Sequence, residues 1–462
     1  MTDTAKSEFE LIYALEDRPG FLQSTFAAIQ HVLASFVGIV TPTLIIGGVL
    51  GLGSEVPYLI SMALVVSGVG TFIQARRPFG IGAGMICVQG TSFAFLASVL
   101  AAGFIAKARG GGPDEILSLI FTVCFFGAFV EIFLSQVLHK LKRIITPLVT
   151  GIVITIIGIS LIKVGMTDMA GGFNAPDFGS PPNLLLGGVV LLTVIVLNRV
   201  RNQWIRLSSI MLGLLVGSVM AYFMGKVSFD ALGTMPLFSI PVPFKYGFSF
   251  DWPAFIPIAL IYFITAIEST GDITANCMIS GQPIKGDAYL KRIKGGVLAD
   301  GINSMIAAAF NTPPNTTFSQ NNGVIQLTGI ASRYVGYYIA GILVILGIFP
   351  IIGGVLQAMP KPVLGGATLV MFATIAAAGV KILSQVELSR RNMLIMAVAF
   401  GLGLGVTMVP DALNSLPELA KNVLSNAVTM GGLAAIILNL AFSDKPLEQA
   451  PSYGVVEADE NA

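Results

Sequence analysis

The sequence has few charged side chains, and this shortage excludes most classes of protein. Only 11% of the 462 residues are Asp, Glu, Lys or Arg, whereas soluble proteins usually carry about 25%. The formal net charge is +1, so no electrostatic attraction to nucleic acid is expected. Hydrophobic residues make up 54% of the chain and the mean hydropathy is +0.83. The composition predicts an all-α polytopic membrane protein.

Cysteine and histidine are also scarce. The three cysteines, Cys87, Cys124 and Cys277, provide no even-numbered disulfide framework and no metal-ligand spacing, so they are expected to be core thiols. The sequence contains no nucleophile with a neighbouring base and no phosphate-binding loop. We therefore predict neither an enzyme nor a bound metal or cofactor. The first twenty residues lack the pattern of a cleaved signal peptide, and the amino terminus is expected in the cytoplasm.

Long hydrophobic runs are what the chain has in abundance. About 20 apolar residues cross a bilayer as a helix, and twelve clear segments of this kind are predicted. They lie near 25–51, 56–75, 114–138, 145–165, 183–198, 207–225, 252–272, 295–311, 334–354, 362–381, 392–409 and 422–442. Two weaker segments, 80–104 and 315–330, are interrupted by polar residues and Gly. Counting both gives fourteen spans.

The distribution of Lys and Arg supports this count. Lys and Arg accumulate in cytoplasmic loops of membrane proteins. With fourteen spans and the amino terminus inside, 19 of the 26 basic residues fall on the cytoplasmic side. Omitting one weak segment would invert the loops between the two and remove the asymmetry. The basic residues therefore indicate that both weak segments cross the membrane.

The two weak segments are the third and the tenth, seven apart, as expected for an inverted repeat. Their centres read VQGTSFAF (88–95) and SQNNGVIQ (319–326). The fifth and twelfth segments also correspond, with Pro147 and Gly151 in one and Pro362 and Gly366 in the other. An odd number of spans in each copy forces opposite orientations. We predict a seven-plus-seven inverted repeat.

Irregular backbone at membrane depth is tolerated only where it is buried in protein or lines a cavity. If segments three and ten each contain a short extended stretch and a half-helix, two helix amino termini with free N–H groups would meet near the midplane. Pro313 and Pro314 suit the end of the ninth helix and the start of an extended stretch. The alternative is an ordinary kinked helix or loop.

Ionisable residues inside the membrane are costly and are candidates for function. Glu268 and Asp272 are four residues apart and share one face of the eighth span. Repulsion and burial predict that at least one of these carboxyls binds a proton near neutral pH. Asp300 is expected either to bind a proton in the same way or to have a structural, hydrogen-bonding role. For His31 a functional and a structural role are equally expected. Glu131 is expected to pair with a local donor.

The polar side chains near the broken spans are uncharged. They are Gln89, Ser92, Gln320, Asn321 and Asn322. With an acid nearby and no Lys or Arg, this set disfavours an anion and favours a flat neutral molecule with N–H and C=O groups at its edge, such as a nucleobase. Phe93 and Phe95 are candidates to stack on its ring, although most aromatic residues in spans are core residues.

The stretch QNNGVIQLTG (320–329) resembles the signature of the nucleobase/ascorbate transporter family. Further stretches in the same order resemble bacterial xanthine permeases in particular, so the resemblance covers the full length. These stretches are GTSF (90–93), the Glu268 and Asp272 pair, KGGVLADG (294–301), SRYVG (332–336) and PVLGGATLVMF (362–372).

The resemblance implies a core domain and a gate domain, usually in a dimer, with elevator-like movement of the core. The core would comprise 21–138 and 250–356, the gate 139–230 and 357–442, and the tails 1–20 and 443–462 would be cytoplasmic. Glu268, Gln320 and the backbone at Phe93 would bind the base. Asn321, Asp272, Asp300 and His31 would support the site or its protonation.

Gln320 stands where uracil carriers tend to have Glu, so the resemblance favours purines, with xanthine first. Asp272 replaces the His of some uracil carriers, which leaves open which carboxyl carries a coupling proton. The expected function is proton-coupled uptake of a purine across the bacterial inner membrane, driven by the proton gradient, with a homodimer as the expected assembly. Alternatives are a urate or guanine permease of the same fold and an anion exchanger or channel of a related fold.

Overall fold

The computed structural model describes residues 11–138, 146–172, 175–227 and 236–442, and this part of the chain is predominantly helical. The helices are α1 (Phe21–Leu50), α2 (Val56–Arg76), α3 (Leu96–Ala108), α4 (Pro113–Val137), α5 (Pro147–Met169), α6 (Pro181–Asn198), α7 (Gln203–Leu207), α8 (Ser209–Phe223), α9 (Trp252–Ile279), α10 (Gly286–Ala309), α11 (Gln320–Thr328), α12 (Val335–Ile348), α13 (Pro350–Gln357), α14 (Lys361–Leu383), α15 (Arg390–Met408), α16 (Glu418–Leu424) and α17 (Ala427–Ala441). Two short strands are β1 (Gln89–Thr91) and β2 (Asn315–Thr317).

Within the described ranges, eight helices are long and apolar enough to cross a bilayer, and the bent pair α12–α13 makes a ninth. Three shorter apolar helices are also described: Phe93–Ala108, which contains α3, and the helices α8 and α17. The prediction of a helical, multi-pass membrane fold is confirmed. The count of fourteen spans and the inverted repeat stay predictions.

Two of the predicted segments have different shapes from those expected. The eleventh, expected to be one span, is bent by 73° between α12 and α13. Phe349 is extended there and Pro350 has no N–H to continue the helix. The ninth begins at Gly286, nine residues before its predicted start, because the helix continues into a polar stretch that a hydropathy window excludes.

Some predictions fall outside the described residues. These are the first ten residues of the amino-terminal tail, the carboxy-terminal tail from 443 onward, and the basic residues at 6, 140, 142, 143 and 445.

The strands β1 and β2 pair antiparallel, with Gln89 opposite Thr317 and Thr91 opposite Asn315. Two further backbone bonds extend the pairing: Phe318 N–H donates to Val88 O (2.9 Å) and Ser92 N–H donates to Pro314 O (2.8 Å). The two interrupted segments therefore satisfy each other's backbone groups. This is the condition under which irregular backbone survives inside a membrane protein.

The pairing depends on the absence of a side chain at Gly90. A Cβ on Gly90 would lie 2.3 Å from Cζ of Phe318, and one on Gly38 of α1 would lie 2.8 Å from Cε2 of the same ring. The Phe318 ring thus occupies the space that both glycines leave. It joins α1 to the crossing of the two strands.

The helices α5 and α14 pack closely through small residues. A Cβ on Gly158 would lie 2.2 Å from the backbone N of Ala376, and one on Gly365 would lie 2.0 Å from the backbone N of Met169. Such contacts leave no room for larger side chains at these positions. The two helices therefore form one closely packed unit along much of their length.

The amino-terminal segment is tied to the end of α11. The N–H groups of Ile12 and Tyr13 donate to Gly329 O, and Ala331 N–H donates to Tyr13 O (2.9 Å). Ser332 Oγ also donates to Asp17 O. The segment before α1 therefore covers the carboxyl end of the half-helix from the tenth segment.

At the other end of the molecule, the loop before α9 is fixed to the start of α2. Lys245 Nζ donates to Glu55 Oε2 at 2.7 Å, and Tyr246 Oη donates to the same oxygen at 2.5 Å. Burial alone would raise the pKa of Glu55, but the hydrogen bonds from Lys245 and Tyr246 and the charge of Lys245 outweigh it and hold the pKa below 4.5.

The substitution Gly90→Ala tests the crossing of the strands. The new methyl group must displace the Phe318 ring, and overpacking of this kind costs about 1–3 kcal/mol. We expect a lower midpoint of thermal unfolding for the purified protein. The matched control is Gly341→Ala on α12, where no described atom lies within 4 Å of the new Cβ; it should leave the midpoint unchanged or raise it. Equal midpoints for Gly90→Ala and the wild type would contradict the packing.

The substitution Glu55→Gln tests the loop attachment. Since the pKa of Glu55 is lower in the folded protein, its ion pair stabilises the fold above the unfolded pKa, and this contribution disappears as pH falls through the folded pKa. At pH 7 we expect a loss of about 1 kcal/mol, seen as a lower unfolding midpoint, and no loss in acid. Glu115→Gln, at an exposed position, is the control. A loss of the same size at both pH values would refute the assignment.

Candidate functional site

A cavity of ≈ 120 Å³ lies between two groups of helices. One side comes from α1, α9, the turn after β1 and the β2–α11 segment, and the other from α5, α8 and α14. The second side is apolar apart from Thr374, with Ile154, Ile157, Met371 and Ile375. The polar groups are therefore concentrated on the side that holds the crossing strands.

Glu268 is the one acidic residue among the described residues that line the cavity. It lies on α9 and is half-buried. Its Oε2 atom is buried and has no hydrogen-bond partner among the residues that the structure describes. An unpartnered buried carboxylate oxygen is costly, so it offers an acceptor for a ligand N–H or a site for a proton.

Gln320 begins α11 and lines the same cavity, where its side chain is exposed. Its amide lies against α1, with Nε2 3.3 Å from the place a Cβ on Gly38 would take. The next two N–H groups, of Asn321 and Asn322, donate to Phe318 O and Ser319 O. The expectation of free N–H groups is therefore wrong for these two residues, because a tight first turn uses them.

Phe93 also lines the cavity. Its ring meets Phe372 of α14 edge to face, with centroids 5.2 Å apart and planes at 83°. Phe93 thus connects the turn after β1 to the apolar side of the cavity. Phe95 instead packs on Tyr262, 4.5 Å between centroids, and does not line the cavity, so of the two candidate stacking residues only Phe93 is in position.

Asp300 and Gln89 lie behind the cavity wall and not among its described lining residues. Asp300 Oδ1 accepts hydrogen bonds from Gln74 Nε2 and Gln89 Nε2, both 2.7 Å, and Oδ2 accepts one from Ser269. Gln89 Oε1 accepts from Asn303 Nδ2 at 3.1 Å. This network joins α2, β1, α9 and α10. The geometry favours the structural alternative for Asp300. Gln89, predicted to bind substrate, bonds within this network instead.

His31 and Asn321 form a second buried pair. Asn321 Nδ2 donates to His31 Nδ1 at 3.0 Å and to His31 O at 3.1 Å. The contact holds α11 against α1. Asn322 Nδ2 donates to the backbone oxygen of Asp272 at 3.3 Å, which links α11 to α9 one turn beyond Glu268. All four residues support the cavity and are not among its described lining residues.

Ser92 and Glu131 are buried without side-chain partners. Ser92 Oγ has none among the described residues, nor does either carboxylate oxygen of Glu131. Glu131 is only 1% exposed, so the predicted pairing with a local donor is wrong. The sequence could not show this, because Asn303 and Ser304 of the neighbouring α10 donate to Gln89 of β1 and to Asn315 O of β2 instead.

Sequence reasoning missed several lining residues. Thr316, Thr317 and Phe318 of the tenth segment lie at the cavity, and their place beside Gln320 could have indicated this. The apolar residues of α5, α8 and α14 gave no signal, because an apolar side chain in a span has the same pattern facing lipid or a cavity.

Comparison with known proteins agrees with the sequence and the fold. The family model Xan_ur_permease, described as "Permease family", matches residues 22–412. Xanthine permease XanP of Escherichia coli (strain K12) is 48% identical over 438 residues, which is 94% of this chain and 95% of the relative. Xanthine permease XanQ of the same strain is 45% identical over 464 residues, covering 100% of both.

Among solved structures, the transmembrane domain of the cyanobacterial bicarbonate transporter BicA is similar in fold, with a TM-score of 0.57 at 15% identity. The match covers 92% of this chain and 99% of that one. The two relatives are permeases, which move solutes and do not transform them. These matches confirm the resemblance found in the sequence motifs. They also confirm the prediction that the chain is not an enzyme. The chain belongs to this permease family of multi-pass membrane transporters.

Proposed function

We propose that the chain takes up a purine nucleobase, xanthine first, together with a proton. The observation that carries the proposal is one cavity that combines the unpartnered Oε2 of Glu268 with the side-chain amide of Gln320. Relatives named xanthine permeases, 48% and 45% identical over nearly the whole chain, support the choice of substrate.

The chemistry of the cavity matches a flat, uncharged heterocycle. The Glu268 carboxylate accepts hydrogen bonds from ring N–H groups, and the Gln320 amide both donates and accepts at a C=O and N–H edge. Phe93 supplies an aromatic surface next to the ring. The hydrocarbon side chains of α5 and α14 complete the site on the opposite side.

The division of the cavity supports an elevator mechanism. Glu268 and Gln320 belong to the proposed core domain (21–138 and 250–356), whereas the apolar side belongs to the proposed gate domain (139–230 and 357–442). An apolar surface makes no directional bonds to the substrate, so the core can slide along it. The proposed architecture is fourteen spans in a seven-plus-seven inverted repeat.

Coupling follows if substrate and proton bind the same conformation. A ligand shifts an equilibrium between outward and inward states only through different affinities for the two. We propose that Glu268 binds the proton and the purine from outside and loses the proton inside. In this proposal Asp272, Asp300 and His31 support the site or its protonation, and Asp272 is the alternative carrier of the proton, which the variant Asp272→Asn tests.

Two alternatives predict different ligands. A urate or guanine permease would need only small changes around Ser92, Asn322 and Gln326. An anion exchanger is suggested by the fold shared with a bicarbonate transporter. Against the latter, the described lining residues include no Lys or Arg. An anion would also face the carboxylate of Glu268. The proposal further includes a homodimer in the bacterial inner membrane with both termini in the cytoplasm.

The substitution Glu268→Gln tests the central residue. A hydrogen bond to a charged group is worth about 1.5–3 kcal/mol, so we expect apparent affinity for xanthine to fall at least about tenfold and accumulation of labelled xanthine in cells to stop. Asp272→Asn, one turn away, is the informative partner: if it also stops accumulation but keeps affinity, Asp272 carries the proton. Glu115→Gln serves as the expression control. Full transport by Glu268→Gln would end the proposal.

Substrate and coupling can be checked in one uptake assay. Cells that express the chain should accumulate labelled xanthine, and an uncoupler at fixed external pH should stop the accumulation. Excess unlabelled xanthine should compete more strongly than guanine, urate or uracil, and bicarbonate should not compete. Accumulation that is the same with and without the uncoupler would refute proton coupling. Stronger competition by guanine or urate than by xanthine would identify that base as the preferred substrate.

A further inference from the structure

Three arginines lie close enough to act on one another at the predicted cytoplasmic end, outside the cavity. Arg77 follows α2, Arg292 lies in the first turns of α10, and Arg333 precedes α12. All three are half-buried, which is unusual for a surface cluster of one sign. We name them the arginine triad.

The backbone and neighbours hold Arg77 in place. Arg77 has a φ of 56°, in the left-handed region. Its Cδ lies 3.3 Å from the place a Cβ on Gly84 would take, so its carbon chain covers that glycine. Its Nη2 donates to Lys291 O at 3.1 Å. The loop that carries Arg77 is fixed in turn, since Gly82 N–H donates to Gly295 O at 2.7 Å.

The triad has unused donors. Nε of Arg77 and Nη1 of Arg292 are buried and have no hydrogen-bond partner among the described residues. Arg292 Nη2 donates to Gln282 Oε1 at 3.1 Å, a neutral group. Among the ion pairs of the described residues, only that of Arg333 with Glu16, at 2.9 Å, involves the triad. Two half-buried guanidinium groups, each with one buried unpartnered nitrogen, therefore have no ion-pair partner among the described residues.

Electrostatics gives the same conclusion. Burial, followed by the charges of Arg292 and Arg333, lowers the pKa of Arg77 from its usual value. Buried donors without partners cost free energy, and more so when they are charged. A group that brings negative charge and several acceptor oxygens would remove both costs.

We propose that the arginine triad binds a phosphate group. Guanidinium groups match the oxygens of phosphate in bidentate geometry, and a phosphate has enough acceptors for Arg77 and Arg292 together. The phosphate belongs either to an anionic lipid headgroup or to a soluble phosphate. Phe79, two residues beyond Arg77, is fully exposed, and aromatic residues are typical of membrane interfaces. The site does not depend on the purine proposal.

Thermal unfolding of the purified full-length chain tests the site. The midpoint is measured while inorganic phosphate replaces chloride at constant ionic strength. A ligand that binds only the folded state raises the midpoint in a concentration-dependent way, and we expect such a rise. In a second arm, the chain is placed in bilayers of phosphatidylcholine with or without phosphatidylglycerol. A rise with the lipid alone identifies the headgroup as the source, and a rise with both supports a general phosphate site.

For the variants Arg77→Gln and Arg292→Gln, the phosphate or lipid concentration that gives the same rise in midpoint should be at least about tenfold higher than for the wild type. Each substitution removes a charge-assisted contact. Arg199→Gln, at the end of α6 on the same predicted face, is the control and should respond as the wild type does. If a glutamine variant does not fold, Arg77→Lys replaces it, because it keeps the charge but loses the planar fork. No rise in either arm, or equal rises in the triad variants and the control, would overturn the proposal.

Discussion

The need to pair every backbone polar group away from water determines the structure around the cavity. The third and tenth segments leave helical geometry, and each supplies the partners that the other lacks through β1 and β2. Asp300 then ties β1 to α2 and α9. Because Gln320 lies three residues after the end of β2 and Glu268 lies one residue before Ser269, the strand pairing and the Asp300 network also set the positions of both cavity residues. The polar site is a consequence of how the break in the helices is made stable.

The structure distinguishes polar residues that hold elements together from polar residues that line the cavity, whereas the sequence shows both as one group near the breaks. Most of the buried polar residues near the breaks hold elements together: Gln89 and Asp300 in one network, His31 with Asn321 in another. Among the described lining residues, Glu268 and Gln320 place a carboxylate and an amide in the cavity wall, alongside small hydroxyl residues of the tenth segment. The polar side of the cavity is held rigidly by these networks, and the opposite side is an apolar surface. This arrangement is compatible with movement of the polar side as one unit.

Much of the architecture could be predicted because lipid leaves a chain few choices. Hydrophobic length located the helices, and α2, for example, spans 56–76 where 56–75 was expected. Polar interruptions located both strands. The bend at Pro350 was missed because a hydropathy window averages over a single residue. The hydrogen bonds of Gln89 with Asp300 and Asn303 could not be predicted, nor could the lack of a partner for Glu131 among the described residues. The direction in which a buried polar side chain faces depends on rotations that spacing alone does not fix. The phosphate site proposed at Arg77 could not be predicted either. The positive-inside rule already accounts for Lys and Arg in cytoplasmic loops, so these arginines gave no separate signal of a binding site.

The attachment of the amino-terminal segment has a consequence for biosynthesis. The backbone of Asp17 accepts a hydrogen bond from a residue 315 positions later in the chain. The segment before α1 is synthesised before its partner and stays without it until α11 and the turn after it have been made. Chains are made from the amino terminus at about 5–20 residues per second, so this delay lasts on the order of tens of seconds. The contact that closes over the end of α11 therefore cannot form before Ser332 has been made.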